Sequence, residues 1–152
     1  NGCCTFIASD EQRRDPDALR NLFEERALNV AFATPTTMRA LVSVGWKGSP
    51  RTKILCGGEA IPQSLMNELV ARGRVVNVYG PTEATVAVTS PELFAGDSVH
   101  LGRALPGVEL LVLDEAGAIC GPRQPGELVI GGIGVALGYW KNDELTRKKF
   151  VD

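Results

Sequence analysis

Apolar and polar positions along the first half of the chain predict strands that alternate with helices. Strands are predicted at residues 4–8, 29–33, 53–56 and 75–79. Helical spacing of apolar positions predicts helices at residues 16–27, 34–44 and 62–72. Asp15 before Pro16 marks a helix start, and Thr34 or Thr36 can cap the second helix. Such alternation predicts a parallel sheet flanked by helices, of flavodoxin-like or Rossmann-like topology, and we assign it as flavodoxin-like.

The pattern changes after Ser90. Two apolar runs, at residues 109–113 and 127–130, read as strands with no helix between them. A short helix is predicted over residues 143–150, with Asp143 as its cap. This part is β-rich and is assigned to a small, distorted barrel. The predicted subdomains are residues 1–90 and residues 91–152.

Composition and charge argue against several classes of protein. The chain has 152 residues, of which 44% are hydrophobic and 22% charged, as in ordinary globular proteins. A net charge of -2 argues against a nucleic-acid partner, which needs a basic face. Four cysteines without a C-x-x-C spacing and a single histidine argue against zinc and indicate free thiols.

The chain shows no apolar run of transmembrane length, which predicts no membrane span and a cytoplasmic location. It begins at Asn1 rather than at a methionine, and a strand-like run follows almost at once. We therefore expect it to be an internal piece of a longer protein.

Two loops follow predicted strands at the edge where parallel sheets bind ligands. The first is Cys56-Gly57-Gly58-Glu59-Ala60, whose paired glycines let a flat ligand approach the backbone or form a tight turn into a helix. The second is Asn77-Val78-Tyr79-Gly80-Pro81-Thr82-Glu83. Its amide, aromatic ring, hydroxyl and carboxylate suit a base edge, a base face, a phosphate oxygen and a hard cation. The alternative is a structural turn capped by Thr82.

The second loop and three further segments resemble motifs of the AMP-forming adenylating superfamily. Residues 77–90 look like its nucleotide-binding motif, and residues 126–140 are similar to the next one. Residues 101–107 and 144–150 also fit in order. Pro81 favours amino-acid activators, as in nonribosomal peptide synthetases, over acyl-CoA synthetases and luciferases, although D-alanine–carrier protein ligases share it.

The resemblance implies a role for each matching residue. Asn77 would bind the adenine amino group and Tyr79 would stack on the ring, with Gly80 in the same loop. Thr82 would contact phosphate, and Glu83 would help to hold magnesium; these two are the candidate catalytic residues. The other adenine face would be covered by Gly58, Glu59 and Ala60.

The resemblance also implies a pocket for the substrate side chain. Its positions match Phe32, Leu55, Gly57, Val78, Val86 and Ala87. All are apolar or glycine, so we expect a medium-to-large hydrophobic amino acid, with branched aliphatics ahead of aromatics. Alternatively, some are sheet core, and D-alanine is the rival substrate. One departure from the family pattern is Leu137, where an arginine is usual.

The function implied is ATP-dependent activation of an amino acid to its adenylate, followed by loading onto a carrier-protein thiol. The chain has no glycine-rich phosphate loop ending in Pro-Lys-Gly, and in the family the catalytic lysine, the ribose-binding aspartate and the aspartate for the substrate amino group lie outside the matching segment. We therefore expect this chain alone to be inactive. The competing hypotheses are a non-catalytic nucleotide-binding module, an excised structural subdomain, and a fragment of a D-alanine ligase or acyl-CoA synthetase.

Overall fold

A computed structural model describes Gly2 and residues 4–151. The α-helices are α1 (Asp10–Arg14), α2 (Pro16–Glu25), α3 (Pro35–Ser43), α4 (Gln63–Val70) and α5 (Asp143–Lys149). A single 3-10 turn spans Thr82–Ala84. The strands are β1 (Val30–Ala33), β2 (Lys53–Gly57), β3 (Arg74–Val78), β4 (Glu92–Leu93), β5 (Val108–Leu113) and β6 (Glu127–Gly132).

The described residues form two compact units. The first unit comprises residues up to Val78 together with Pro91–Leu101. The second comprises Tyr79–Ser90 and the residues from Gly102 onward. The division predicted from the sequence, into residues 1–90 and residues 91–152 as subdomains of a longer protein, stays a prediction.

The first unit is a four-stranded sheet in the order β1-β2-β3-β4. The strands β1, β2 and β3 are parallel, as predicted, and the two-residue β4 adds to β3 in the antiparallel direction. Register pairs Phe32 with Leu55 and Gly57 with Val78. The carboxyl ends of β2 and β3 therefore lie side by side, which is the edge from which the two candidate loops depart.

Helices α3 and α4 pack against one face of the sheet, and α2 packs on α3. Alternate strand residues point to that face, because side chains on a strand have a period of two. The strand residues on that face are Ala31, Ile54, Cys56 and Val75. They form one buried cluster with Leu19 of α2, Met38 and Leu41 of α3, and Leu65, Met66 and Leu69 of α4. Burying a side chain of this size stabilises by about 1.5–3 kcal/mol, so this cluster is the core.

Local signals in the sequence account for the helix starts. The Asp15 side chain accepts a hydrogen bond from the Asp17 N–H at 2.9 Å, and Pro16 begins α2. Thr34 is the cap of α3 and accepts from the Thr37 N–H at 3.3 Å. Both starts are as predicted.

The second unit contains the antiparallel pair β5-β6, with Val108 opposite Gly132 and Leu113 opposite Glu127. Asp114 closes the turn after β5, since its Oδ1 accepts from the N–H groups of Ala116 and Ala118 at 2.9 Å. The predicted strands and the missing helix between them are therefore confirmed, whereas the barrel to which we assign them stays a prediction.

Two sequence predictions are wrong. Residues 4–8 are not a strand: they have no regular structure, and Ile7 is 90% exposed. A short apolar run becomes a strand only when another strand satisfies its backbone groups, and none within the described residues pairs with it. The cap of α5 is Asn142 rather than Asp143, because the Asn142 Oδ1 accepts from the Leu145 N–H at 3.1 Å.

Along the described ranges, no helix has the length and apolar character that crossing a membrane requires. Cys4, Cys56 and Cys120 are free thiols, and Cys3 lies outside the described residues. Burial, with a smaller contribution from the Glu59 charge, raises the pKa of the Cys56 thiol to about 12. Cys56 therefore stays a neutral, small apolar group in the core.

Candidate functional site

The loop after β2 presents bare backbone to solvent. Gly58 has φ +85°, a conformation that side chains rarely adopt, and Gly58, Glu59 and Ala60 are all exposed. The Glu59 carboxylate accepts a hydrogen bond from the Thr36 hydroxyl at 2.6 Å. That bond ties the loop to α3 and leaves the peptide plane at Gly58 open to a flat ligand.

Asn77 ends the run of buried side chains on β3. Its Nδ2 donates to the His100 carbonyl at 2.9 Å, and its backbone N–H donates to the Pro91 carbonyl at 3.0 Å. The side chain is thus fixed with its donor used, and Oδ1 is its remaining acceptor. An amide held in this way is suited to a ligand that donates a hydrogen bond.

In the second unit, Tyr79 opens the turn that continues from β3. Its backbone pairs with Thr89, donating at 3.1 Å and accepting at 3.0 Å. Gly80 follows, where a Cβ atom would lie 2.7 Å from the Val86 carbonyl oxygen. Only glycine fits there, because the backbone at Val86 lies too close to Gly80 for a side chain.

Thr82 begins the 3-10 turn and is exposed. The residue in the cap position is Pro81, and no side chain caps the turn. The structural alternative for Thr82, a capping role, is therefore wrong. Its hydroxyl points to no hydrogen-bond partner among the residues the structure describes, which leaves it available to a ligand.

The turn ends in strained backbone that no sequence pattern predicts. Thr85 has φ +57° and Val86 has φ +68°, although both are β-branched residues, for which this region is unfavourable. Such strain costs on the order of 1–3 kcal/mol per residue and clusters at functional sites. The Thr85 hydroxyl donates to the Gly134 carbonyl at 2.7 Å and helps to hold the conformation.

Glu83 is held by the loop after β6. Its carbonyl accepts from the Ala136 N–H at 2.7 Å, and its carboxylate oxygen Oε1 accepts from the Tyr139 hydroxyl. The hydrogen bond from Tyr139, and less so the charge of Lys149, lowers the pKa of the Glu83 carboxyl. The same bond raises the pKa of the Tyr139 hydroxyl. At neutral pH this pair is therefore a carboxylate and a neutral phenol.

These residues border a groove of about 470 Å³ within the second unit. Its polar lining includes Tyr79, Glu83, Tyr139 and Lys149, and its apolar lining includes Leu128, Ile130, Val135 and Phe150. The groove joins an aromatic ring, a carboxylate and an ammonium group, which is a set that suits a charged ligand with a flat part.

The apolar positions assigned to a substrate pocket fall in both units. In the first unit Phe32, Leu55, Gly57 and Val78 share the sheet face opposite the helices, as their register and alternation require. Phe32 is 63% exposed there. In the second unit Val86 is 68% exposed and Ala87 is half-buried.

Gly57 has a structural reason to be glycine. A Cβ atom at this position would lie 2.3 Å from the Val78 carbonyl oxygen, so β2 and β3 approach too closely for any side chain. Leu137, which departs from the family pattern, is fully exposed and packs on nothing.

A second cavity, of about 440 Å³, lies in the first unit at the opposite edge of the sheet. Its lining includes Phe23, Trp46, Asn29 and Thr52. Asn29 directly precedes β1, and Thr52 directly precedes β2. It contains none of the residues to which the sequence assigns a function.

The described part of the chain has no cluster of three or more His, Cys, Asp or Glu side chains able to hold a metal ion. Magnesium, however, is commonly bound through one or two carboxylates together with substrate phosphates. The Glu83 carboxylate, with one oxygen hydrogen-bonded to Tyr139 and no cation paired to it in the described ranges, fits that donor set.

Comparison with known proteins places this geometry in a family. The family model described as AMP-binding enzyme matches residues 1–140. The PKS-NRPS hybrid synthetase acdB of Aspergillus candidus is 42% identical over 152 residues, covering 99% of this chain and 6% of that protein. The chain thus spans a small fraction of the curated relatives it matches.

Solved structures agree in fold. A four-domain nonribosomal peptide synthetase bound to AMP and glycine superposes with a TM-score of 0.92 and 35% identity, covering 96% of this chain and 11% of that one. A nonribosomal peptide synthetase protein containing adenylation and PCP domains superposes with a TM-score of 0.77 and 31% identity. That match covers 90% of this chain and 30% of the other.

Proposed function

Because this chain belongs to the family of AMP-binding enzymes, we propose that it forms part of an amino-acid adenylation domain that activates a hydrophobic amino acid with ATP. In the proposed reaction a carboxylate oxygen of the amino acid forms a bond to the α-phosphorus of ATP. The bond from that phosphorus to the departing pyrophosphate breaks, and aminoacyl-AMP remains. The thiol sulfur of a carrier protein then forms a bond to the aminoacyl carbonyl carbon and gives up its proton. The bond from that carbon to the phosphate oxygen breaks, and AMP leaves.

The observation that carries the proposal is the run from Asn77 to Glu83 at the end of β3. It lies inside the family match, and a related structure with this fold holds AMP and glycine. A relative with adenylation and PCP domains supports a carrier protein as the partner. A cytoplasmic location remains part of the proposal.

We assign the adenine contacts residue by residue. The Asn77 Oδ1 would accept from the adenine amino group, because Nδ2 is already bonded to His100. Gly58, Glu59 and Ala60 would cover one face of the base with exposed backbone. Tyr79 would stack on the base, and Gly80 allows the turn that presents the tyrosine. Stacking of a base on an aromatic ring contributes about 1–3 kcal/mol.

The phosphates would be met by the exposed hydroxyl of Thr82 and by magnesium on Glu83. The ion, when bound, would offset negative charge on the phosphates. The Glu83 carboxylate stays ionised to a lower pH than an ordinary glutamate, because the Tyr139 hydrogen bond lowers its pKa. Its charge is therefore present throughout neutral pH. Thr82 and Glu83 act by orientation and charge rather than by covalent chemistry.

The proposed substrate class follows from the open sheet face of the first unit. Phe32, Leu55 and Val78 offer apolar surface to the substrate side chain. Contact between them would stabilise the complex by about 25 cal/mol per Å² of apolar surface buried. A charged substrate side chain would lose several kcal/mol of hydration there without a partner. The other two positions that the family resemblance assigns to the substrate side chain, Val86 and Ala87, are also apolar, and we expect branched aliphatic amino acids ahead of aromatic ones.

Calorimetric titration of the complete adenylation domain tests this assignment. A leucyl-sulfamoyl adenosine, which copies the adenylate, is expected to bind much more tightly than ATP or leucine alone. The matched analogue with an aspartyl group is expected to bind at least tenfold more weakly. Equal affinity for the two analogues would contradict the substrate class, and absence of binding by both would contradict the adenylation function.

A further inference from the structure

We propose that Tyr139 is a positioning residue, which holds the Glu83 carboxylate in one orientation for the magnesium–ATP that Glu83 would meet. The inference rests on the function proposed above. The two residues lie 56 positions apart in the sequence and meet in the second unit. Tyr139 has no role among those implied for the family motifs.

Tyr139 is held in place by groups other than Glu83. Its backbone N–H donates to the Thr146 hydroxyl at 2.9 Å, and that hydroxyl donates to the Asn142 carbonyl, also at 2.9 Å. Its ring meets the Phe150 ring edge-on, with centroids 5.5 Å apart. The phenol is therefore oriented by α5 before any contact with Glu83, as a positioning group must be.

Gly138 makes this placement possible. It has φ +141°, and a Cβ atom there would lie 2.5 Å from the Thr146 Cγ2 atom. A side chain at this position would push the loop away from α5. The glycine before Tyr139 thus serves the close approach that fixes the tyrosine.

Glu83 lacks comparable constraints on its own side chain. Its backbone is tied to the same loop by the bond from the Ala136 N–H at 2.7 Å, but its carboxylate is partly exposed on a flexible stem. Among the described residues, the hydrogen bond found to this carboxylate comes from Tyr139 and uses Oε1. Without that bond the carboxylate would sample several rotamers, and Oε2 would no longer be presented in one direction.

A purely structural latch would behave differently. If the bond only fastened the loop after β6 to the 3-10 turn, its loss would lower thermal stability and leave the affinity for magnesium–ATP and the magnesium requirement of the reaction unchanged. The bonds from Ala136 to Glu83 and from Thr85 to Gly134 already fasten these segments. The tyrosine hydroxyl is therefore not needed as a fastener.

The test uses the complete adenylation domain with the variants Tyr139→Phe, Glu83→Asp and their combination. Tyr139→Phe removes the hydroxyl and keeps the ring against Phe150. Glu83→Asp keeps the negative charge, but its shorter side chain places the carboxylate farther from the Tyr139 hydroxyl. Trp140→Phe is the matched control, because Trp140 lies on the same loop and is 88% exposed. Binding of magnesium–ATP is measured by calorimetry, and the magnesium requirement by pyrophosphate exchange at a series of magnesium concentrations.

Tyr139→Phe is expected to weaken magnesium–ATP binding roughly tenfold, as expected for one hydrogen bond to a charged group. The magnesium concentration that half-saturates its pyrophosphate exchange rises, while its melting temperature and the behaviour of Trp140→Phe stay near wild type. Glu83→Asp shows a loss of at least the same size, and the double variant is no worse than Glu83→Asp, since the two residues act as one unit.

Wild-type affinity for magnesium–ATP and an unchanged magnesium requirement in Tyr139→Phe would overturn the positioning role while leaving the proposed function intact. Should Tyr139→Phe fail to fold, wild-type affinity in Glu83→Asp would overturn it instead. Absence of exchange by the wild-type domain with every amino acid would overturn the proposed function and this inference together.

Discussion

The side-chain amide of Asn77 donates from Nδ2 to the His100 carbonyl at 2.9 Å, within the first unit. Asn77 is 5% exposed, so this bond decides which way the amide faces. With Nδ2 committed, Oδ1 is presented as an acceptor. An adenine amino group is a donor, and the proposed nucleotide contact depends on this orientation.

Asn77→Asp is expected to destabilise the chain by about 1–3 kcal/mol, because a carboxylate oxygen would replace the donor that faces the His100 carbonyl. The free energy of unfolding from urea titration measures the loss. The matched control is Asn67→Asp, where the exposed amide accepts through Oδ1 and an aspartate retains that acceptor. A variant Asn77→Asp as stable as Asn67→Asp would show that the Nδ2 bond does not orient the side chain.

Substitution of valine for each of two buried threonines is expected to change the free energy of unfolding in different ways. The Thr89 hydroxyl is fully buried and has no partner in the described part of the chain. The Thr52 hydroxyl donates to the Leu28 carbonyl at 3.0 Å. Thr89→Val should be neutral or stabilising, whereas Thr52→Val should cost on the order of 1 kcal/mol. Paired urea titrations measure both, and a larger loss for Thr89→Val would mean that its hydroxyl has a partner.

The ion pair between Arg74 and Glu92 predicts a pH dependence. Arg74 donates two hydrogen bonds of 2.8 Å to the Glu92 carboxylate across β3 and β4. These bonds, and the charge of Arg74, lower the pKa of the Glu92 carboxyl. A carboxyl whose pKa is lower in the folded state stabilises above its unfolded pKa, and this contribution is lost as pH falls through the folded pKa.

Glu92→Gln is therefore expected to be slightly less stable than wild type at pH 7, with a difference that vanishes in strong acid. The effect is small because Arg74 is exposed and Glu92 is only partly buried, and added salt should reduce it further. Urea titrations at a series of pH values measure the difference. A gap that widens as the pH falls would contradict the assignment of the lowered pKa to Glu92.

Local patterns predicted most of the first unit. The alternation of buried residues on β1, the continuous buried run on β3, and the caps at Asp15 and Thr34 all depend on residues a few positions apart. Such signals are visible in sequence because strands and helix starts are set by near neighbours. The run at residues 4–8 failed for the opposite reason, since a strand there would need a distant partner.

The candidate site was predicted only in part. Residues carrying a recognisable motif, such as Tyr79 and Glu83, were identified from the sequence, and the structure adds their partners. The bond between Glu83 and Tyr139 joins distant segments, and no periodic pattern encodes it. The positive φ of Val86 was equally invisible, because valine is the residue that propensity places in extended backbone.

The proposed adenylation function is tested most directly by amino-acid-dependent exchange of pyrophosphate into ATP. The complete adenylation domain containing this chain is assayed with each proteinogenic amino acid and with D-alanine. Exchange is expected with leucine, isoleucine or valine, at a rate well above that for D-alanine. Close apolar analogues should follow within roughly ten- to two-hundred-fold, as one methylene discriminates no further. Exchange with none of them, or a preference for aspartate, glutamate, lysine or arginine, would contradict the account.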